Sequence, residues 1–132
     1  MNKKGFSLIE VIVVVIIIGI LARISIPRYI RLVEKGRSAE ARNILGHIRS
    51  AQMAYQLENG YYTNTLGNLQ VAAPTACNAT FYFSYALANG SGTFTATANR
   101  CTGGAGKSPT GSAAFSLSIN QGGTLSGTAG YL

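Results

Sequence analysis

The sequence contains no aspartate and only one histidine, His47, and its carboxylate side chains come from just four glutamates. A Ser-His-Asp triad is therefore excluded, because its carboxylate could only be a glutamate. A catalytic zinc centre built on several histidines is excluded by the same shortage of ligands. At 132 residues the chain falls within the size of one domain, which excludes an enzyme with separate cofactor and substrate domains. We expect no catalytic residue, no cofactor and no metal site.

Charge is scarce in the second part of the chain. Between Asn59 and Leu132 there is no acidic residue, and the only basic ones are Arg100 and Lys107. This part must gain its solubility from serine, threonine, asparagine and glycine. The formal net charge of +7 therefore arises mainly from the first part, whose cations are Lys3, Lys4, Arg23, Arg28, Arg31, Lys35, Arg37, Arg42 and Arg49.

The apolar residues are concentrated near the start. In the segment from Phe6 to Ala22 the only polar side chains are those of Ser7 and Glu10. As a helix this segment spans roughly 25 Å. Ile24 and Ile26 extend it toward the ~30 Å hydrocarbon thickness of a bilayer. The pattern predicts a membrane-spanning helix.

Glu10 distinguishes this segment from a secretory signal peptide, the alternative that a basic start and an apolar run also allow. No small-x-small cleavage site follows the run, and the acid interrupts it. A carboxylate at membrane depth costs about 2.5–3.5 kcal/mol on insertion scales, so a cation should pair with it. Cutting the chain after Gly5 would supply one, since it would leave a free α-amine on Phe6, four residues from Glu10.

The start of the chain contains Gly5-Phe6-Ser7-Leu8-Ile9-Glu10-Val11, followed by a β-branched apolar run, Ile18-Gly19-Ile20-Leu21 and Ile26-Pro27. This pattern resembles the N-terminal signature of type IV pilins and the related pseudopilins. The resemblance implies that a prepilin peptidase removes the leader, residues 1–5, between Gly5 and Phe6, and that the new Phe6 amine is N-methylated. It also implies that Glu10 neutralises the N-terminal amine of an adjacent subunit during assembly.

Arg23 departs from this pattern, because pilins usually carry a small or apolar residue at its place. Its long stem can reach the headgroups, which keeps a membrane stage feasible. The cations after the helix would by themselves predict a cytoplasmic C-terminal side, and we give the family signature precedence. The basic stretch 23–49 could neutralise nucleic-acid phosphates, but its position favours lipid headgroups and neighbouring subunits. Arg100 and Lys107 are then the cations expected to be exposed.

Beyond Pro27 the apolar residues mostly recur at spacings of three and four, which is the stripe of an amphipathic helix. We predict one helix from Phe6 to Glu58, ended by Asn59-Gly60. Pro27 removes a backbone hydrogen bond and Gly19 adds a weak point, so a kink or loosening is expected near Pro27. The resemblance makes Gly19 to Pro27 the segment that can lose helicity in a filament.

The rest of the chain predicts a small antiparallel sheet of three or four strands. The segments 80–87 and 93–98 are rich in β-forming residues, and the turn residues 89–92 join them as a hairpin. The segment 114–119 alternates apolar and polar residues, and 124–126 starts a fourth strand ending near Tyr131. Together with the helix this is an α+β fold of the pilin lollipop type. Its expected parts are the leader (1–5), the membrane or filament-core helix (6–27) and the head (28–132).

Cys77 and Cys101 are the two cysteines. A head translocated across the membrane, as the resemblance implies, would enter an oxidising compartment, where a disulfide is expected. Such a bridge would stabilise the head by about 3–4 kcal/mol. The cysteines lack C-x-x-C spacing, and one distant histidine cannot complete a zinc site.

The leading hypothesis is a structural subunit of a type IV pilus, not an enzyme. The prepilin would be held in the inner membrane, cut by the peptidase and polymerised by inner-membrane assembly machinery into an extracellular homo-oligomeric helical filament on the bacterial surface. Such a filament could serve adhesion, twitching motility or DNA uptake. The alternatives are a minor pilin, a type II secretion pseudopilin, and an adhesin or DNA-binding module displayed on the fibre.

Overall fold

The computed structural model describes residues 4–111 and 113–132, so the first three residues of the expected leader lie outside the described part. Contacts divide the chain into two compact units, one up to Val33 and one from Glu34 onward. The elements follow the order α1 (Leu8–Asn59), a short 3-10 helix (Leu66–Leu69), β1 (Phe83–Gly90), β2 (Thr93–Arg100), β3 (Ser116–Asn120) and β4 (Leu125–Gly127). The predicted α+β architecture, with one long helix and an antiparallel sheet, is confirmed.

The first unit is helical from Leu8 onward, and its apolar side chains are exposed. The apolar first half of α1 is long enough to cross a membrane, and its most apolar stretch is not buried. The large apolar side chains from Leu8 to Ile26 are 48–77% exposed. By length and composition this part of α1 can cross a membrane.

α1 continues through Gly19 and Pro27 as one uninterrupted helix. The kink or loosening expected near Pro27, and the loss of helicity expected in a filament, stay predictions. The helix ends at Asn59, one residue beyond the predicted end. Gly60 follows with φ +82°, the left-handed conformation that glycine adopts readily, and its amide donates to the Gln56 carbonyl at 2.8 Å.

In the described part of the second unit, four strands form one antiparallel sheet in the order β1-β2-β3-β4. The β1–β2 hairpin closes at the pair Gly90–Thr93, so only Ser91 and Gly92 form its turn. Gly92 has φ +70°, which suits such a two-residue turn. The prediction that Asn89 and Gly90 belong to the turn is therefore wrong, because the tighter connection leaves both residues in the strand.

Other strand boundaries also differ from the prediction. β2 ends at Arg100 rather than residue 98, and β3 runs from Ser116 to Asn120 rather than over 114–119. β1 begins at Phe83 rather than residue 80, because the Asn78 side chain accepts hydrogen bonds from the amides of Thr80 and Phe81 and bends the chain there. β4 ends at Gly127 rather than near Tyr131. After it the chain turns, since the Tyr131 amide donates to the Thr128 carbonyl at 3.2 Å.

One face of the sheet packs against the second half of α1 and forms the core. The largest fully buried apolar side chains belong to Leu45, Ile48, Phe83, Tyr85, Phe94 and Leu117. Tyr131 closes one edge of this core, stacking on Phe115 with ring centroids 4.0 Å apart. Its carbonyl accepts a hydrogen bond from the Ser38 hydroxyl at 3.0 Å, which fastens the segment after β4 to α1.

Candidate assembly site

Glu10 lies in the first turn of α1, where its carboxylate binds the backbone that precedes the helix. The Ser7 amide donates to Glu10 Oε2 at 2.8 Å, and the Glu10 amide donates to the Ser7 carbonyl at 3.1 Å. A glutamate that receives the N-cap amide satisfies one of the unpaired donors at a helix start. Its negative charge also interacts favourably with the positive end of the helix dipole.

The sequence did not lead us to predict this capping contact, because we considered Glu10 only as a carboxylate that needs a cation as its partner. The signal was present, because Ser7-Leu8-Ile9-Glu10 has the Ser-x-x-Glu spacing of a capping box ahead of an apolar run. The two roles are compatible. An oxygen that accepts one amide hydrogen keeps further acceptor sites, so the held carboxylate can still receive an ammonium group.

The other predicted residues of this site lie just before the helix. Gly5 and Phe6 precede the first helical residue, and both are exposed, Phe6 at 89%. Among the described residues, Glu10 forms no ion pair. The structure thus places an exposed peptide bond, an exposed aromatic residue and a cation-free carboxylate within six residues of each other at the start of an apolar helix.

A second charged cluster lies in the head and joins α1 to β2. Arg100 Nε donates to Glu34 Oε2 at 2.8 Å, and Arg100 Nη2 donates to Glu34 Oε1 at 3.1 Å. Arg37 donates to the same carboxylate from one helical turn further along. The hydrogen bonds and charge of Arg100, with those of Arg37, hold the pKa of Glu34 below its ordinary value in spite of partial burial.

Arg100 uses every donor of its guanidinium. Besides Glu34 it binds the carbonyls of Tyr82 (3.1 Å), Cys101 (3.0 Å) and Pro109 (3.2 Å). Arg100 is only 5% exposed, so the expectation that it is an exposed cation is wrong. The sequence reasoning missed this because the partner carboxylate lies 66 residues away, and a single arginine in a polar segment gives no sign of it.

The cysteines lie next to this cluster. Cys77 and Cys101 form a disulfide with an S–S distance of 2.10 Å and a Cα–Cα distance of 5.8 Å. Cys101 is buried, and a Cβ atom on Gly106 would lie 2.7 Å from the Cys101 Cβ. Glycine is therefore required where the following loop returns to the disulfide. The same loop brings Lys107 Nζ to 4.5 Å from the centroid of the Tyr82 ring.

In residues 4–111 and 113–132 no group of three or more His, Cys, Asp or Glu side chains is arranged to hold a metal ion. The chemistry available at the two charged clusters is hydrogen bonding and charge pairing. At the helix start the Glu10 carboxylate is exposed and can bind another molecule. In the head, Glu34 and Arg100 bind each other inside the fold.

Comparison with known proteins gives two family models. The model described as type IV pilin-like G and H matches residues 38–122. The model of the prokaryotic N-terminal methylation motif matches residues 1–22. The first match covers most of α1 in the head and three of the four strands, and the second covers the helix start with Glu10.

Individual relatives agree with these matches. The type IV major pilin protein PilA of Myxococcus xanthus is 39% identical over 63 residues, which are 48% of this chain and 29% of that protein. The type II secretion system core protein G of Escherichia coli is 35% identical over 76 residues, 56% of this chain and 52% of that protein. The chain thus spans about half or less of the length of these two relatives.

A third relative is matched over more of its length. The type IV wide pilus major component PilA4 of Thermus thermophilus is 33% identical over 90 residues, which are 67% of this chain and 69% of that protein. Together with the family model that matches residues 38–122, this similarity shows that the chain belongs to the type IV pilin-like family.

Proposed function

We propose that this chain is a structural subunit, a prepilin, that is anchored in the inner membrane by the first half of α1 and then polymerises into a filament on the bacterial surface. The observation that carries the proposal is the placement of Glu10. A capped carboxylate without a cation partner among the described residues begins an exposed apolar helix, inside a matched methylation motif. An ordinary membrane anchor has no use for such an acid.

Processing would complete this site. A prepilin peptidase cuts between Gly5 and Phe6, which are exposed ahead of the helix, and the new Phe6 amine is methylated. The terminal ammonium then pairs with Glu10 of an adjacent subunit. The pairing offsets the desolvation of both charges as the apolar surfaces close around them, and it fixes how far one helix is displaced along the next.

Assembly then depends on packing. Moving α1 from lipid to contact with like helices gains little from hydrophobic transfer, because lipid tails are as apolar as the side chains. Close packing and the charge pair must supply the gain. The partners implied are further copies of this chain, the peptidase, the membrane before assembly and the inner-membrane assembly machinery.

A second candidate is a pseudopilin of a type II secretion system. The similarity to the type II secretion system core protein G favours it, since that alignment covers 56% of this chain. Both candidates share the processing and the charge pair, and they differ in whether the filaments reach the cell surface in quantity.

The test is to express the chain in a host with a prepilin peptidase, shear the surface fraction, and examine it by electron microscopy and mass spectrometry. We expect filaments whose subunit begins at a methylated Phe6. If the sheared surface fraction contains no filaments, and filaments form only when the chain is overproduced together with a type II secretion system, the result would favour the pseudopilin. A chain that stays monomeric and begins at Met1 would contradict both.

A further inference from the structure

The exposed face of α1 in the head carries a basic groove. It has a volume of about 440 Å³ and lies between α1 and the β3–β4 turn, with Arg42, His47, Arg49, Ser50, Ile119 and Gly123 among its lining residues. No acidic side chain of the described residues lines it. Arg42 Nε is buried without a hydrogen-bond partner among the described residues. Among the described residues, the Arg49 side chain makes one hydrogen bond, from its Nε to the Gln121 carbonyl at 3.1 Å. Arg42 Nη2 is turned inward and donates to the Ser38 hydroxyl at 2.7 Å and to the Tyr131 carbonyl at 3.4 Å. The donors that the groove offers to an anion are therefore the remaining ones of the Arg49 guanidinium.

A second groove lies on the other side of His47, which lines both. It has a volume of about 520 Å³ and is lined mainly by apolar residues, including Ile44, Ala51, Leu69, Val71 and Phe81. His47 thus separates the basic groove from the apolar groove, and we call this residue the His47 ridge. A complementary surface should present a carboxylate and a large apolar side chain next to each other.

The end of α1 presents that pair. Leu57 is 84% exposed, and the neighbouring side chains of Met53 and Tyr61 are 38% and 58% exposed. Glu58 is exposed in the last turn of the helix, where no basic residue accompanies it. An acid at this end interacts unfavourably with the helix dipole. Within the described residues, the Glu58 side chain forms no ion pair or hydrogen bond, so its charge is uncompensated in the single copy.

The other carboxylates of the chain are engaged. Glu10 accepts from the Ser7 amide, Glu34 binds Arg100, and Glu40 accepts from the Tyr82 amide at 2.9 Å. Among the described residues of the head, Glu58 is therefore the glutamate whose side chain has no partner in the single copy. An anionic polymer such as nucleic acid could use the basic groove, but its phosphates would leave the adjoining apolar groove and the exposed Leu57 without a role.

We propose that the Leu57–Glu58 edge of one copy docks across the His47 ridge of a neighbouring copy, with Glu58 in the basic groove at Arg49 and Leu57 in the apolar groove. The two surfaces are ten residues apart, so the copies joined by this contact are displaced by about 15 Å along parallel helices, whereas the four residues from Phe6 to Glu10 correspond to about 6 Å. The two contacts therefore join a copy to different neighbours. Different patches of each copy meet, so the contact is heterologous and repeats without closing. This inference rests on the proposed filament and adds a contact between heads to the contact at Glu10.

Charge reversal tests the contact in the full chain. Glu58→Arg removes no bond of the single copy, and we expect it to lower the yield of sheared filaments by about tenfold or more, because like charges would face each other across the interface. Arg49→Glu should act likewise, and the double variant Glu58→Arg/Arg49→Glu should restore filaments. Lys107→Glu, which reverses a charge away from both grooves, is the matched control. Normal filament yield from Glu58→Arg would overturn the proposal.

Cross-linking tests the pairing independently of charge, through two exposed positions. With a short bis-maleimide, filaments of the double variant His47→Cys/Leu57→Cys should give a ladder of covalent oligomers, and each single variant should stay monomeric. Dimers from one single variant, or no ladder from the double variant, would overturn the proposal. Filaments that assemble but fail these tests leave the proposed function standing, whereas a wild-type chain that forms no filament contradicts the proposed function itself.

Discussion

The guanidinium of Arg100 and the carboxylate of Glu34 form a two-bond ion pair, 2.8 Å and 3.1 Å long, that fastens β2 to α1 inside the head. The Arg100 side chain has no exposed surface in this arrangement, and that of Glu34 is 12% exposed. A buried ion pair of this kind adds little to the free energy of unfolding. Removing one partner lowers that free energy by much more, because the other charge stays buried and loses its main partner.

Replacing Arg100 with alanine should therefore destabilise the head strongly. We expect a loss of about 3–5 kcal/mol in the free energy of unfolding, since Glu34 would keep only Arg37 as a partner and the carbonyls of Tyr82, Cys101 and Pro109 would each lose a hydrogen bond. Denaturant unfolding of the full chain in detergent measures the loss. Lys35→Ala, at an exposed cation on the same helix, should change the free energy of unfolding by less than about 0.5 kcal/mol. A similar small effect for Arg100→Ala would contradict the structural role of the pair.

Acid should weaken the fold through Glu34. Because Arg100 holds the pKa of Glu34 below its ordinary value of 4.5, folding favours the deprotonated carboxylate. The stability that this shift contributes is fully present above about pH 4.5 and is lost as the pH falls toward the lower pKa of the folded state. The thermal midpoint measured from pH 7 to pH 3 should fall more steeply for the wild type than for Glu34→Gln. Parallel curves would exclude Glu34 as the source.

Glutamine at position 10 separates the two roles of Glu10. Its side-chain carbonyl can still accept from the Ser7 amide, so Glu10→Gln keeps the cap but removes the charge. We expect this variant and Glu10→Ala to insert in the membrane and yet to give few or no filaments, as seen by membrane fractionation and electron microscopy. Filaments at wild-type yield from Glu10→Gln would show that capping, and not charge pairing, is what assembly requires.

Alanine at position 5 should block removal of the leader. A Cβ atom on Gly5 would meet nothing within 4 Å in the single copy, so the fold tolerates Gly5→Ala and any defect must arise at the peptidase. Mass spectrometry of the N-terminus should find the uncut chain. A mature chain beginning at Phe6 in this variant would contradict the assigned cleavage site.

The sequence predicted those helices and strands whose formation depends on residues close together in the chain. Apolar residues at helical spacing and the stop at Asn59-Gly60 placed α1 to within two residues at each end, and alternation located β3. The start of β1 was wrong because one side chain, Asn78, bends the chain before the strand. Neither propensity nor alternation reports such a bond.

The two charged sites also differ in whether the sequence could predict them. The residues around Glu10 lie next to each other in the chain, so their arrangement could be anticipated, except for the capping bond to Ser7. The pair of Glu34 and Arg100, and the two grooves beside His47, arise only when α1 meets the sheet and the loops beyond it. No spacing rule relates residues brought together by tertiary packing.

The hydrogen bonds of Arg100 to the carbonyls of Cys101 and Pro109 bear on the order in which the head matures. They position the segment that carries one sulfur atom without any covalent link. The position of the Cys101 segment therefore depends on Arg100 as well as on the disulfide to Cys77, and a chain whose disulfide is still reduced keeps these hydrogen-bond donors.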